Sequence, residues 1–190
     1  MADGKATRWK KHLGVPKHMA EVDGEKLICR TIRLITQISP NSEIIVTSHN
    51  PNYEFKNCRR YEPKNNVLEI DRFTEELIED NVCFLYGDTF YTQNSMEKII
   101  KTEGSGTLFF GNSKSIVAVK VFDSDEFRFH VNRVRNLFLE GKIKSCKGWQ
   151  VYQSFQNQDM RSLPLITDEF ILLDNETTDI NTPEDYNKLV

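Results

Sequence analysis

Val82-Cys83-Phe84-Leu85-Tyr86-Gly87-Asp88 is a continuous apolar run that stops abruptly at a glycine and a carboxylate. An unbroken run of this length is the pattern of a strand covered on both faces, as in sheets flanked by helices. In open α/β sheets, ligands gather at the carboxyl ends of the strands, which is where Asp88 stands. A carboxylate there can hold Mg²⁺, an ion that takes one or two carboxylates and completes its shell with water and substrate phosphates. The competing reading of Asp88 alone is an ordinary turn aspartate.

Helical and extended patterns alternate on either side of this run, which argues for an α/β layered sheet. Leu27, Ile28, Ile32, Leu34, Ile35 and Ile38 recur at helical spacing over 25–38. Glu43 to Ser48 is a short β-branched run and predicts a strand. A short helix is expected from Asp71 to Glu79 and another from Asn94 to Lys101. Leu108 to Phe110, Ile116 to Phe122 and Phe170 to Leu173 read as strands. Ser124 reads as the cap of a helix with Asp125 and Glu126 in its first turn, an apolar face of Phe127, Val131, Val134, Leu137 and Phe138, and Gly141 as its stop. Thr182-Pro183-Glu184-Asp185 is a helix start, with a capping Thr and Pro at the first helical position.

Three further stretches carry candidate chemistry. The N-terminal segment Asp3-Gly4-Lys5-Ala6-Thr7-Arg8, followed by Pro16-Lys17, is a basic, glycine-containing loop. Its backbone N–H groups can converge on a triphosphate while Arg8 and Lys17 neutralise charge; a solvated basic tail is the alternative. Asp179 lies between the last strand and the Thr182 cap, with Asp174 and Glu176 as acidic neighbours and a plain loop carboxylate as the alternative. Trp149 and Tyr152 could wall an acceptor site near Gly111, or could simply pack. Thr47 and Ser48, with His49 and Arg72 at other element ends, are candidates for reading a base. The four histidines do not cluster, and no Ser-His-Asp or Cys-His nucleophile arrangement can be argued from residue order.

The chain has 190 residues with 38% hydrophobic and 28% charged, which suits a single domain spanning 1–190. A net charge of −3 disfavours a general nucleic-acid partner. No apolar stretch is long enough to imply a membrane partner. Cys29, Cys58, Cys83 and Cys146 show no zinc spacing, and Cys29 and Cys83 sit in apolar runs that predict buried thiols. The expected setting is the reduced cytoplasm.

Taken in order, these blocks resemble the nucleotidyltransferase superfamily of glycosyltransferase-A-type fold. That superfamily includes sugar-1-phosphate nucleotidyltransferases, phosphocholine cytidylyltransferases and molybdenum-cofactor (MobA-like) guanylyltransferases. Asp3 to Arg8 with Gly14-Val15-Pro16-Lys17 is similar to the family's glycine-rich loop. Leu85-Tyr86-Gly87-Asp88 is similar to its metal-aspartate strand, and Thr178-Asp179-Ile180-Asn181-Thr182-Pro183-Glu184-Asp185 to its closing segment. The resemblance implies a three-layer sandwich, with a mixed, mainly parallel sheet flanked by helices. It also implies Mg²⁺ on Asp88 and Asp179, and triphosphate oxygens on Arg8 and Lys17. The implied reaction is Mg²⁺-dependent nucleotidyl transfer from a nucleoside triphosphate to a small phosphorylated acceptor, releasing pyrophosphate. The family usually has Ala or Gly where Asp3 stands and Gly where Ala6 stands, and the loop starts so early that the first strand is expected to be missing or shortened. Two other readings stand beside transfer: a catalytically inactive nucleotide-binding or scaffold protein, and a nucleotide-sugar-dependent glycosyltransferase on the same fold.

Overall fold

In the computed structural model, which describes residues 1–2, 8–9, 12–167, 169–173 and 176–190, strands and helices alternate along the chain. The first half runs β1 (Glu21–Val22), β2 (Glu25–Lys26), α1 (Leu27–Ile38), β3 (Ile45–Thr47), β4 (Arg59–Tyr61), β5 (Val82–Leu85), β6 (Thr89–Tyr91) and α2 (Gln93–Lys101). It continues with β7 (Thr107–Gly111), β8 (Ile116–Val121), α3 (Ser124–Leu139), α4 (Gly148–Phe155), β9 (Phe170–Leu172), β10 (Thr177–Asp179) and α5 (Pro183–Asn187). These elements fall into two compact units. One is built from Met1–Pro63, Leu85–Thr102 and Leu173–Val190, the other from Lys64–Phe84 and Glu103–Leu172.

In the first unit, α1 buries Leu27, Ile28, Thr31, Ile32 and Leu34, the stripe that its helical spacing implies. Ile28 and Ile32 pack with Ala2, Val46 and Tyr53 in one core cluster. Leu27 joins Trp9, Ala20, Val22 and Ile180 in a second. β3 and β4 pair in parallel, with Val46 opposite Arg60. β6 and β10 pair antiparallel, with Asp179 opposite Thr89.

Where the sequence leaves the first strand missing or shortened, Met1 and Ala2 hold a bonded position. The Ala2 N–H donates to the Thr47 carbonyl at 3.1 Å, and the Gly87 N–H donates to the Met1 carbonyl at 2.9 Å. The Met1 ammonium donates to the Leu85 carbonyl at 2.8 Å. Gly87 is required for this approach, because a Cβ there would stand 2.8 Å from the Met1 carbonyl oxygen.

The second unit holds a four-stranded sheet in the order β5-β8-β7-β9. β7 runs antiparallel to β8 and parallel to β9. The sheets are therefore mixed rather than mainly parallel: β3–β4 and β7–β9 are parallel, while β1–β2, β6–β10 and β7–β8 are antiparallel. The core of this unit is aromatic. Phe127 from α3 meets Phe73 at 5.3 Å and Phe84 at 6.0 Å, and Phe155 from α4 meets Phe109 at 5.5 Å.

Three local expectations change, and one helix, at Trp149, was not foreseen. The helix predicted from Asp71 to Glu79 is instead two 3-10 turns, Glu69–Arg72 and Glu75–Leu77. The Asp71 carboxylate accepts from the Val67 and Leu68 N–H groups at 2.9 and 2.7 Å, and such side-chain bonds compete with a regular helix. The cap of α3 is Asp123, one residue earlier than Ser124, and it accepts from the Glu126 N–H at 2.9 Å. The segment around Trp149 is a helix, α4, that buries Gly148 and Gln150–Ser154. Among the cysteines, Cys146 is buried, whereas Cys29 and Cys83 keep partial exposure.

Replacing the α3 cap tests this placement. Asp123→Ala is expected to cost about 1 kcal/mol in urea unfolding, and Ser124→Ala markedly less. Equal costs would assign the cap to neither residue.

Candidate active site

The polypeptide turns at Tyr86-Gly87-Asp88-Thr89, closed by the Thr89 N–H on the Tyr86 carbonyl at 3.3 Å. The apolar β5 run ends just before this turn, and β6 begins just after it. Asp88 is thereby fixed at a strand terminus. Three sequence-distant blocks meet at it. Lys17, in the short 3-10 turn Lys17–Met19, forms an ion pair with the Asp88 carboxylate. The Ile180 N–H donates to the Asp88 carbonyl at 2.8 Å. One ladder step away, the Thr89 hydroxyl donates to the Asp179 carboxylate at 2.8 Å.

The ion pair is deeply set: the Lys17 and Asp88 side chains are 6% and 13% exposed. Two opposite charges out of water hold each other firmly, since either one alone would be an uncompensated buried charge. Next to Lys17, His18 Nδ1 lies 3.1 Å from the Tyr53 hydroxyl.

Trp9 is the residue of the N-terminal segment that sequence reading passed over. It is 1% exposed, sits in the cluster with Ile180, and donates from Nε1 to the Val15 carbonyl at 2.7 Å. Tyr186 from α5 meets its ring edge-on at 5.9 Å. A lone tryptophan among lysines was the available signal. It anchors the segment while Arg8, its neighbour, lies in an exposed turn. Asp3, Gly4, Lys5, Ala6 and Thr7, expected to cradle a triphosphate, lie outside the described residues, as does Asp174.

Thr47 and Ser48 close β3 and are both buried. The Ser48 N–H donates to Tyr61, its hydroxyl accepts from the Asn50 N–H at 3.1 Å, and its carbonyl accepts from Arg60 at 2.9 Å. Gly111, Trp149 and Tyr152 belong to the second unit. A Cβ on Gly111 would fall 2.0 Å from the Ser115 carbonyl, so the β7–β8 connection accounts for that glycine. Tyr152 is fully buried; its hydroxyl accepts from the Thr167 N–H at 2.9 Å and donates to the Leu165 carbonyl at 3.2 Å. Packing accounts for Tyr152. Trp149 stacks on Phe170 at 5.5 Å and stays half-buried.

No cysteine is poised as a nucleophile. Desolvation pushes the Cys83 thiol up to about 12 and that of Cys146 up to about 11, and burial also raises Cys29 and Cys58. Among the described residues there is no group of three or more His, Cys, Asp or Glu side chains placed to hold a metal. Asp88 and Asp179 offer the oxygen donors that a hard cation takes, one now paired with Lys17 and the other accepting from Thr89.

No protein-family model matches the sequence, and no curated protein matches it at the sequence level. Solved structures do match its fold. The CTP:phosphocholine cytidylyltransferase of Streptococcus pneumoniae superposes with a TM-score of 0.60 at 13% identity, covering 99% of this chain and 94% of that one. A putative glucose-1-phosphate thymidylyltransferase of Bacillus anthracis gives a TM-score of 0.63 at 9% identity, covering 99% and 91%. The chain has a nucleotidyltransferase-like fold. Both comparisons run nearly end to end on both chains, so the likeness covers the whole architecture and not one motif. At such low identity it shows the fold alone. No described helix is long and apolar enough to cross a membrane.

The ion pair makes a direct prediction. Asp88→Ala strands the Lys17 ammonium and is expected to cost about 3–5 kcal/mol in urea unfolding. The double variant Lys17→Met, Asp88→Leu should recover more than half of that loss; no recovery would mean that the two charges are not coupled.

Proposed function

We propose that this chain is a nucleotidyltransferase that joins a nucleoside triphosphate to a small phosphorylated acceptor, of the sugar-phosphate or phosphocholine kind, and releases pyrophosphate. The observation that carries the reading is the meeting of Lys17, Asp88 and the 179–185 segment at one strand terminus. The nucleotidyltransferase-like fold supports it. In this reading an acceptor phosphate oxygen attacks the α-phosphorus in line, the bond to the bridging oxygen breaks, and pyrophosphate departs with its charge. Positioning and charge neutralisation supply the catalysis, with no covalent enzyme intermediate.

Each residue has a definite task. Lys17 leaves Asp88 for the triphosphate and, together with Arg8, stabilises the departing pyrophosphate. Asp88 and Asp179 would hold Mg²⁺, which as a Lewis acid and template lowers the cost of charge developing on the phosphoryl oxygens. The 3–7 segment would line the triphosphate with backbone N–H groups, and Thr47 and Ser48 would border the nucleotide. A cytoplasmic setting follows from substrates of this kind.

The ion pair also favours a second reading. Lys17 and Asp88 satisfy each other without a ligand, as in a protein that binds a nucleotide without turning it over. Pyrophosphate release separates the two. The chain is incubated with Mg²⁺, each nucleoside triphosphate, and a panel of sugar-1-phosphates, phosphocholine and related phosphorylated alcohols. Release with one pair of substrates is expected, and Asp88→Asn, which keeps size and loses charge, should lower it by at least about a hundredfold. Thermal stabilisation by a triphosphate with no release for any acceptor would establish the inactive binder instead. Undiminished release by Asp88→Asn would remove Asp88 from the chemistry.

A further inference from the structure

A recess lies wholly within the second unit. Its volume is about 470 Å³, within the range of small-molecule sites. It opens beside the C-terminal turn of α3, where Arg133 and Leu137 line it together with Lys142 and Ile143 of the following segment and the 158–161 loop. None of these residues belongs to the unit that contains Lys17 and Asp88.

Its chemistry is asymmetric. Three cations, Arg133, Lys142 and Arg161, face it against a single carboxylate, Asp159. That carboxylate is already committed: Arg161 donates to it from Nε and Nη2 at 2.8 and 3.0 Å. Gln158 is committed as well, since its amide both donates to and accepts from the Leu165 backbone at 2.7 and 2.9 Å.

Arg133 and Lys142 are differently placed. The Arg133 guanidinium makes a long 3.4 Å contact from Nη1 to the Ser154 hydroxyl. Ser154 is fully buried and its oxygen lies 2.7 Å from His130 Nδ1, so this contact orients the guanidinium without neutralising it. Lys142 pairs with Glu140 at 2.7 Å, but both side chains are exposed, and such a pair contributes little and exchanges readily. Behind the cations the lining is apolar: Ile143 and Met160 are 6% and 9% exposed, with Leu137 beside them.

We propose that this recess is a second ligand site, separate from the transfer chemistry, for a small metabolite with an oxyanion head and an apolar body. Arg133 presents a planar fork to a phosphate or carboxylate head, the geometry in which guanidinium groups bind such anions best. Lys142 adds a mobile point charge. Leu137, Ile143 and Met160 take the apolar body, which distinguishes the ligand from inorganic phosphate. Cations on one side and apolar side chains on the other are the two surfaces that such a ligand needs.

Calorimetric titration of the full chain tests the assignment with phenyl phosphate, benzoate and inorganic phosphate as probes. Phenyl phosphate or benzoate should bind saturably, and the better of the two names the head group. Inorganic phosphate should bind at least about tenfold more weakly for want of the apolar body. Arg133→Ala and Lys142→Ala should each weaken the organic probe by about tenfold, while Lys144→Ala leaves it unchanged. Lys142 is on the surface, so its variant is informative even if Arg133→Ala unfolds. Binding that survives in Arg133→Ala and Lys142→Ala but is lost in Lys17→Met would place the probe at the transfer site and overturn the proposal. So would the absence of saturable binding of either organic probe to the unmodified chain.

Discussion

With water largely excluded from around Lys17 and Asp88, taking away either charge with nothing in its place would leave the other buried and uncompensated. That constraint holds the first unit in register. Lys17 brings the segment after the N-terminal loop to the turn that follows β5. The backbone of the same turn receives Ile180, and Ile180 carries its side chain into the cluster around Trp9. The charged contact, the backbone hydrogen bond and the apolar cluster are thus three attachments of one knot. The knot forms where strand gives way to turn, the place where backbone groups and carboxylates are presented outward rather than used in a ladder.

A steric condition makes the knot possible. Met1 and Ala2 bond to Thr47 on one side and to the Leu85–Gly87 stretch on the other, and the approach is close enough that residue 87 can carry no side chain. The glycine beside Asp88 therefore serves packing, and the aspartate serves charge. Two neighbouring residues that look like one motif answer to two different physical demands.

The long periodic elements were legible in the sequence because burial imposes a pattern. The α1 stripe, the β5, β7 and β8 runs, the α3 face and the Thr182 capping box all follow from spacing or from single well-understood residues. What escaped reading lies in short elements. α4 is buried almost all round, and β6 and β10 are three-residue strands defined by each other rather than by their own composition. Asp71 diverts a helical stretch into 3-10 turns through bonds that composition does not reveal. At the candidate site, order along the chain identified the blocks. The pairing of Lys17 with Asp88 and the anchoring role of Trp9 are facts of three-dimensional contact between residues far apart in sequence.

The division of the chain bears on how it is made. The first unit is assembled from three stretches, the last of them Leu173–Val190, and the second unit is interleaved between them. β6 finds its partner in β10, some ninety residues later, so that ladder closes a long loop and must meet its entropic cost late. During synthesis the second unit has all of its residues once Leu172 has emerged from the ribosome, while the first still lacks Ile180 and the strand beside Asp88. In that interval Lys17 and Asp88 lack the Ile180 bond and the β10 strand that adjoin them in the finished fold. The knot is therefore complete only after the last stretch of the chain has been made.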